Sequence, residues 1–352
     1  MALGLFDIAQ IDPTDPDDSY AVYGRRLDDL ALADEVGLTY AFTAERHFLA
    51  TYRCPAPTAW LGAASQRTSA IRLGVMANTL PIHSPVRLAE DIAVLDHLTK
   101  GRLDVGLGLG HRVEELVAMG VDPAKRIDIF QERVAIMQAL WNGGQVTIES
   151  EFDTLKDIAI HPLPLQEPYP PLWYAGGATG ATSWAGSHGM SLAIGFRPLR
   201  DLVPATAGFK AGRQALEETL EEGETMPPAK IALMRHVVLA DTTERARTEM
   251  IDTLVMLHAP HGPAEGSRGN RRAEAAAEAE RLLQQEIFIA GGPEDVAKDL
   301  LFAHKALDVD VFLANIYAAG IGDDQVRRTI RLLAGPVQEQ LAQQAEVAAP
   351  AG

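Results

Sequence analysis

The sequence predicts an α/β fold in which repeated strand and helix units close into a (β/α)8 TIM barrel. Short apolar or β-branched runs alternate with amphipathic stretches along most of the 352 residues. This alternation is typical of repeated βα units and not of two separate halves. Eight such runs can be counted, and eight parallel strands close this barrel. A doubly wound sheet, which usually has about five or six strands, explains the count less well.

The predicted strands are short and apolar, and helical patterns separate them. The strands are expected at residues 2–8, 39–43, 71–75, 103–107, 172–175, 191–194, 231–239 and 309–316. Apolar residues at helical spacing predict helices at residues 25–36, 56–67, 86–98, 127–141, 243–258, 293–305 and 324–340.

Residues 71–110 are the most informative stretch, because they form one βαβ unit whose two strands end in unusual loops. Small and polar residues, Met76 to Thr79, replace β-branched ones where the first strand ends. The second strand ends with glycines at alternate positions, Gly106, Gly108 and Gly110. Glycine lets another group approach the backbone closely. The sequence therefore predicts a ligand-binding edge here.

Three segments interrupt the repeat. Residues 142–171 are proline-rich and predict an insertion after the fourth strand that contains a small hairpin. Residues 258–280 combine Gly and Pro with a charged, alanine-rich run, and they are the best candidate for a mobile lid loop after the seventh strand. A solvated surface loop without a role is the alternative for that segment. We therefore expect a single domain at residues 1–340 and a flexible tail at residues 341–352.

Composition narrows the function. A net charge of −17 with only 31 Lys and Arg argues against nucleic acid or an anionic membrane as the partner, since both bind clustered positive charge. A small-molecule ligand fits better. Cys54 is the only cysteine, which excludes an internal disulfide and favours the cytoplasm. Because the sequence has no basic leader and no run of about 18 apolar residues, we expect neither a signal peptide nor a membrane span. Because it has no metal-binding motif, we expect no metal.

The segment that follows the second predicted strand carries the first candidates for chemistry. Catalytic groups in a βα barrel gather at the carboxyl ends of the strands. In extended backbone Glu45 and His47 point the same way and Arg46 points the opposite way. Imidazole titrates near neutral pH, so His47, with Glu45 beside it, is the first candidate for a general acid or base. The alternative is that Glu45, Arg46 and His47 form an ion-pair network with a purely structural role. His83 and His111 are expected to be structural.

The turn that follows the fifth predicted strand is a candidate anion site. Gly176 and Gly177 precede a helix start, and backbone N–H groups at a helix N-terminus can hold a phosphate. Thr179 and Thr182 can add hydroxyl donors, and Arg126 can supply a positive charge. Glycine often follows a strand where no anion binds, which is the alternative for this turn. The alternative for Arg126 is a surface arginine without a role in binding.

Four stretches together resemble the bacterial luciferase-like, flavin-dependent monooxygenases, from residue 3 to about residue 337. They are AERHF at 44–48, GVMANTLPIHSPVRLAEDIAVLDHLTKGRLDVGLGLG at 74–110, PLPLQEPYPPLWYAGG at 162–177 and FIAGGPEDVAKDL at 288–300. The resemblance implies a βα barrel with an insertion after the fourth strand. It also implies a homodimer and a flavin at the carboxyl ends of the strands.

The resemblance also implies roles for particular residues. Met76 and Ala77 match the family's non-prolyl cis peptide beside the flavin ring, and Asn78 is expected near the same ring. Gly108 stands about where the family has a reactive cysteine. The family's mobile loop falls on residues 258–280. The residues that match its phosphate site are Gly177, Ala178, Thr179, Thr182 and Arg126.

One position departs from the luciferases themselves, which have two adjacent histidines in this Glu-x-His-Phe segment. The first of them is Arg46 here. Light emission is therefore not expected, and the sequence leaves open whether His47 or Arg46 takes part in proton transfer.

The resulting functional hypothesis is a monooxygenase that receives reduced FMN from a separate NAD(P)H:flavin reductase and uses O2 to oxygenate an apolar small molecule. In such an enzyme the cofactor carries the difficult chemistry and the protein positions and shields it. One alternative is hydride transfer with a deazaflavin cofactor. The other is a flavin-binding protein without catalysis. The sequence does not indicate the substrate.

Overall fold

Eight parallel strands form a closed barrel in the computed structural model, which describes residues 1–11, 19–221, 224–257, 268–317 and 321–348. The strands are β1 (Ala2–Asp7), β2 (Tyr40–Thr43), β3 (Arg72–Thr79), β4 (Leu103–Gly108), β5 (Val146–Glu149), β6 (Thr154–Ile158), β7 (Leu172–Ala175), β8 (Ser191–Gly195), β9 (Ile231–Leu239), β10 (Phe288–Gly291) and β11 (Val311–Asn315). The barrel order is β1-β2-β3-β4-β7-β8-β9-β11, and β11 pairs with β1 to close it. The predicted barrel is confirmed, and each predicted strand overlaps one of its eight strands.

Helices surround the barrel. They are α1 (Ser19–Glu35), α2 (Pro57–Ser65), α3 (Pro85–Thr99), α4 (Val113–Ala118), α5 (Arg126–Trp141), α6 (Thr179–Ser187), α7 (Leu199–Glu217), α8 (Thr243–Leu257), α9 (Arg268–Gln284), α10 (Pro293–Leu307), α11 (Asp323–Leu332) and α12 (Gln338–Ala348). A 3₁₀ turn, Leu80–Ile82, follows β3, and a π-helical segment, Leu333–Val337, joins α11 to α12. Buried apolar side chains fill the space between the strands and these helices.

Large side chains fill the interior of the barrel. Phe42 and Trp173 meet edge to face with ring centroids 5.8 Å apart, and the Trp173 indole N–H donates to Asp104 at 2.8 Å. Gly74 leaves the room for this packing, because a Cβ there would lie 2.6 Å from the Phe42 ring. These side chains therefore fill the interior of the barrel, and a ligand site is expected at the end where the carboxyl ends of the strands lie.

The predicted hairpin in the insertion is confirmed by the antiparallel pair β5 and β6. The insertion is joined to the barrel through Arg133 of α5. Its guanidinium binds Asp153 at 2.8 Å and donates to the carbonyl oxygens of Pro81 and His83 at 2.8 and 2.9 Å. This arginine therefore links the hairpin to the chain segment that follows β3.

Strand β10 was not predicted from the sequence. It has only four residues and pairs in parallel with the second half of β9, from His236 to Leu239. Its conformation depends on the strand that it pairs with, because neighbouring strands decide how well a short segment fits into a sheet.

The lid and the tail differ in part from their predictions. Residues 258–267 of the predicted lid lie outside the described residues, and the chain from Arg268 onward is the helix α9. The predicted tail begins at 341, but α12 continues to Ala348, and residues 349–352 lie outside the described part. Alanine, glutamine and glutamate are good helix formers, and Leu341 is buried against the core.

A search of the described helices finds none with the combined length and apolar character that a membrane crossing requires.

Substitution of Gly106 tests the close packing of β3 against β4, the two strands that form the predicted ligand-binding edge. A Cβ at this position would lie 2.1 Å from the Val75 carbonyl oxygen, so we expect Gly106→Ala to lower the free energy of unfolding by about 3 kcal/mol. Gly24 of α1 has no atom within 4 Å of the corresponding position. Gly24→Ala is the control and should raise stability by about 0.5–1 kcal/mol. Urea unfolding measures both, and equal effects would contradict the close packing of β3 and β4.

Candidate functional site

A cleft of about 600 Å³ opens at the carboxyl end of the barrel. Its size lies within the range of about 300–1,000 Å³ that is usual for small-molecule sites. Phe6, Met76, Ala193 and Met234 belong both to the interior core and to the lining of this cleft. The packed interior of the barrel is therefore the floor on which a ligand would rest.

Small residues keep one side of the cleft flat. Met76 and Ala77 line it at the end of β3, and the peptide bond between them is cis, as the resemblance implied. Gly108 at the end of β4 faces them, and a Cβ there would be 3.3 Å from the Cβ of Ala77. A side chain at this position would fill the space, so the glycine keeps the surface open.

Asn78 lies behind this surface and does not line the cleft. Its side chain is 2% exposed and donates to the Gly106 carbonyl oxygen at 2.9 Å. Its Oδ1 atom has no hydrogen-bond partner among the described residues. Asn78 therefore joins β3 to β4 at the place where the pairing register of these strands shifts, and it retains one unused acceptor.

The next part of the cleft wall begins at the end of β7, the strand that pairs with β4. Gly176, Gly177 and Ala178 line it just before α6, together with Arg126 from the start of α5. At Gly177 the nearest atom to a built Cβ is a guanidinium nitrogen of Arg197, 4.0 Å away. A helix N-terminus and two arginines thus meet at this side, which is the environment that binds phosphate groups.

The two threonines that were predicted to add hydroxyl donors do not line this cleft. Thr182 is fully buried, and its hydroxyl donates to the Thr179 carbonyl oxygen at 3.0 Å. Thr182 also contacts α7, because a Cβ at Gly208 would lie 2.9 Å from its hydroxyl oxygen. Its helical position, one turn after the N-terminus, directs the side chain toward α7 and away from the cleft. Its hydroxyl therefore contacts the Thr179 carbonyl oxygen and α7 in this structure, and its part in a phosphate site stays a prediction.

Glu45 lies at the centre of a buried hydrogen-bond cluster beside the cleft. One carboxylate oxygen is 3.0 Å from Nε2 of His47 and 2.7 Å from Nε2 of His83. The other accepts from the Thr79 backbone N–H at 2.5 Å. The predicted placement of Glu45 and His47 on the same side of the chain is therefore confirmed. The sequence analysis did not include His83 in this cluster.

These contacts shift the pKa values of the cluster. Burial raises the pKa of Glu45, but hydrogen bonds from His47 and His83 outweigh burial and lower that pKa from 4.5 to about 2. The same bond to Glu45 raises the pKa of His47. The ionised Glu45 can only accept hydrogen bonds, so both Nε2 atoms carry a hydrogen. The acid–base role of His47 stays a prediction, because its ring is turned to Glu45 and does not line the cleft.

Arg46, between these two residues, does line the cleft. Its side chain lies on the opposite side of the chain, as the alternation predicted. Arg197, which follows β8, is a second cleft residue that the sequence analysis missed, and its position just after a strand was the available signal. Together with Arg126 they bring three positive charges to the lining of the cleft, and no Asp or Glu is among the described residues that line it.

A search of the described residues finds no group of three or more His, Cys, Asp or Glu that could hold a metal ion. The described lining of the cleft offers backbone groups, three arginines, one histidine and apolar surface to a ligand.

The family model for the luciferase-like monooxygenases matches residues 1–309. Among curated relatives, protein y4wF of Sinorhizobium fredii is 30% identical over 249 residues, which are 70% of this chain and 69% of that protein. Limonene 1,2-monooxygenase of Rhodococcus erythropolis is 26% identical over 245 residues, 69% of this chain and 62% of the enzyme. Protein Rv0953c of Mycobacterium tuberculosis is 40% identical over 129 residues, 36% of this chain. The match spans less than two thirds of the last two relatives, 62% and 45% of their lengths.

Solved structures share the fold over nearly the whole chain. Monooxygenase RslO1 from Streptomyces bottropensis superposes with a TM-score of 0.80 at 22% identity, covering 98% of this chain and all of that one, 100%. The oxygenating component of 3,6-diketocamphane monooxygenase of Pseudomonas putida, in complex with FMN, gives 0.76 at 18% identity and covers 97% and 99%. The coenzyme F420 dependent tetrahydromethanopterin reductase of Methanopyrus kandleri gives 0.72 at 17% identity and covers 97% and 99%.

The pKa values of the Glu45 cluster predict a pH-dependent contribution to stability. The lowered pKa of Glu45 stabilises the fold above pH 4.5, and this contribution is lost as the pH falls toward about 2. The raised pKa of His47 stabilises the fold below pH 6.5, and this contribution is lost as the pH rises through the folded-state value. Both contributions have their full size together only between pH 4.5 and 6.5.

We therefore expect Glu45→Gln to lower the free energy of unfolding by about 2–4 kcal/mol, with the largest loss inside that window and smaller losses on either side. Glu149 on β5 is exposed, so Glu149→Gln is the control and should change stability by less than about 0.5 kcal/mol at every pH. Urea unfolding at a series of pH values measures these differences. A loss that does not vary with pH would contradict the assigned directions.

Proposed function

Because the chain belongs to the luciferase-like monooxygenase family, we propose that it is a flavin-dependent monooxygenase that uses reduced FMN and O2 to oxygenate an apolar small molecule. The observation that carries this proposal is the composition of the cleft. A flat side made by Met76, Ala77 and Gly108 meets a cationic side made by Arg126 and the turn before α6. These two sides suit a planar ring and a phosphate, the two recognition elements of FMN.

The residues of the chain would hold this cofactor in a fixed orientation. The backbone at Gly177 and Ala178, with the guanidinium of Arg126, would bind the phosphate. The small residues at the ends of β3 and β4 would contact the ring face. Bound in its reduced form, the flavin would supply the electrons that O2 activation requires.

The remaining lining residues would exclude water from the reacting centre. Phe6, Phe196 and Met234 present apolar surface to the cleft, and removal of water strengthens the electrostatic interactions inside a site. Glu45 would act as a positioning residue, because its bond to the Thr79 N–H holds the backbone two residues beyond Ala77. A separate flavin reductase and a homodimer remain predictions from the sequence.

A second candidate is hydride transfer with a deazaflavin. The F420-dependent reductase of Methanopyrus kandleri has the same fold, and the proposed phosphate side of the cleft offers no distinction between the two cofactors. A flavin-binding protein without catalysis would use the same cleft.

Anaerobic titration with reduced FMN, oxidised FMN and coenzyme F420, followed by protein fluorescence, tests the proposal. We expect the tightest binding for reduced FMN and uptake of O2 when air is admitted. Preferential binding of F420 would contradict the monooxygenase proposal and favour hydride transfer. Absence of binding by all three would contradict any flavin-dependent function, and tight FMN binding without a reaction with O2 would favour a non-catalytic protein.

The phosphate site predicts a selective effect of Arg126→Gln. A charge-assisted hydrogen bond contributes about 1.5–3 kcal/mol, so FMN affinity should fall by about 10- to 100-fold. Riboflavin has no phosphate, and its affinity should stay within about twofold. Lys125→Gln is the matched control, because Lys125 pairs with Glu151 at 3.2 Å and does not line the cleft. Equal losses for FMN and riboflavin would contradict a phosphate contact at Arg126.

A further inference from the structure

We propose that Arg46 binds a carboxylate of the substrate, so that the substrates of this protein are small molecules that join an apolar body to a carboxylate. This inference rests on the proposed function, because it assigns the part of the cleft that the flavin would leave free. It concerns a residue that lies apart from the proposed phosphate contacts.

The strand order separates Arg46 from Arg197. Arg46 follows β2, and Arg197 follows β8. In the closed barrel these two strands are separated by β3, β4 and β7 on one side and by β9, β11 and β1 on the other. Arg46 and Arg197 therefore stand on opposite sides of the barrel opening. A phosphate at the turn before α6 would use Arg126 and Arg197, and Arg46 would remain available.

The guanidinium of Arg46 has little compensation from the protein. Its hydrogen bond is to the carbonyl oxygen of Glu45 at 3.1 Å, and it forms no ion pair within 4.0 Å among the described residues. The Glu45 carboxylate is directed to the opposite side of the chain, toward His47 and His83. A partly buried cation without an anionic partner is electrostatically costly, and a bound anion would relieve this cost.

The nearest other carboxylate is already engaged. Glu115 of α4 accepts from the His47 backbone N–H at 3.2 Å and lies 3.5 Å from the guanidinium of Arg112. The pKa of Arg46 is lowered by burial and raised by Glu115, which places the guanidinium in a partly desolvated position near this helix. The pKa of His111 is lowered by burial and by the charge of Arg46, so this neighbouring imidazole does not add a positive charge at neutral pH. Arg46 is therefore the cation that an anionic group would meet on this side.

The apolar lining of the cleft fits an apolar substrate body. Phe6, Leu116 and Met234 line the same cleft as Arg46. A guanidinium presents parallel N–H groups that bind both oxygens of a carboxylate, which a single amide oxygen cannot reproduce. An apolar acid would thus be distinguished from its neutral amide by Arg46.

Matched acids and amides test the inference. The FMN-loaded protein is titrated with octanoate and 3-phenylpropionate and with octanamide and 3-phenylpropionamide, and the visible absorbance of the bound FMN reports binding. In the wild type we expect each acid to bind about 10-fold or more tightly than its amide. Arg46→Gln should weaken the acids by about 10-fold or more and change the amides by less than about twofold. Arg46→Lys, which keeps the charge without the planar fork, should retain part of the difference.

The control and the cofactor affinity separate the possible failures. Arg200→Gln removes an exposed positive charge at the start of α7, at the same end of the barrel as Arg46. This variant should keep its affinities for the acids and for the amides within about twofold of wild type. Equal affinity of the wild type for acids and amides, or no binding of either, would contradict the inference. Neither result would contradict the proposed binding of FMN. A loss of FMN affinity in Arg46→Gln would show that Arg46 serves the cofactor, which also contradicts it. Failure of the wild type to bind FMN in either its oxidised or its reduced form would contradict the proposed function itself.

Discussion

The buried carboxylate of Glu45 is the interaction on which the cleft depends. It joins two separate pieces of chain. Glu45 and its partner His47 follow β2, and the Thr79 N–H and His83 belong to the segment between β3 and α3. A carboxylate that is 1% exposed is tolerated only when hydrogen bonds replace its lost hydration. Since these bonds hold the backbone on both sides of Arg46 and just beyond Ala77, they set the position of one cation and of the flat surface. The order of this cluster is therefore a condition for ligand binding.

The charged residues that line the cleft are opposite in sign to the net charge of the chain. The net charge is −17, but three arginines and no described carboxylate line the cleft. A cleft with low-dielectric walls concentrates the field of its own charges. An anion would thus be repelled by the net charge of the chain and attracted by the arginines of the cleft, so that charge would favour selectivity for this site. The separation of Arg46 from Arg197 would then allow two anionic groups to bind on opposite sides of the opening without competing for one guanidinium.

Local sequence predicted the parts of the fold that have their own periodicity. The eight barrel strands and the hairpin follow from short apolar runs, and alternation placed Glu45 opposite to Arg46. Alternation could not show which of the two sides faces the cleft, because that depends on how the loop after β2 meets α4. His83 is 38 residues from Glu45, and only the closed barrel brings them together. The orientation of Thr182 depends on the packing of α6 against α7, and β10 depends on its pairing with β9, so no local pattern shows either.

The arginine at position 46 changes what this side of the cleft can do. A histidine in its place would lose its charge above about pH 6.5, whereas a guanidinium stays protonated throughout the neutral range. Arg46 therefore supplies charge and cannot exchange protons there. His111 is the imidazole among the described lining residues, and its pKa is lowered by burial and by Arg46. The charge of Arg46 thus persists at pH values where the neighbouring imidazole is neutral.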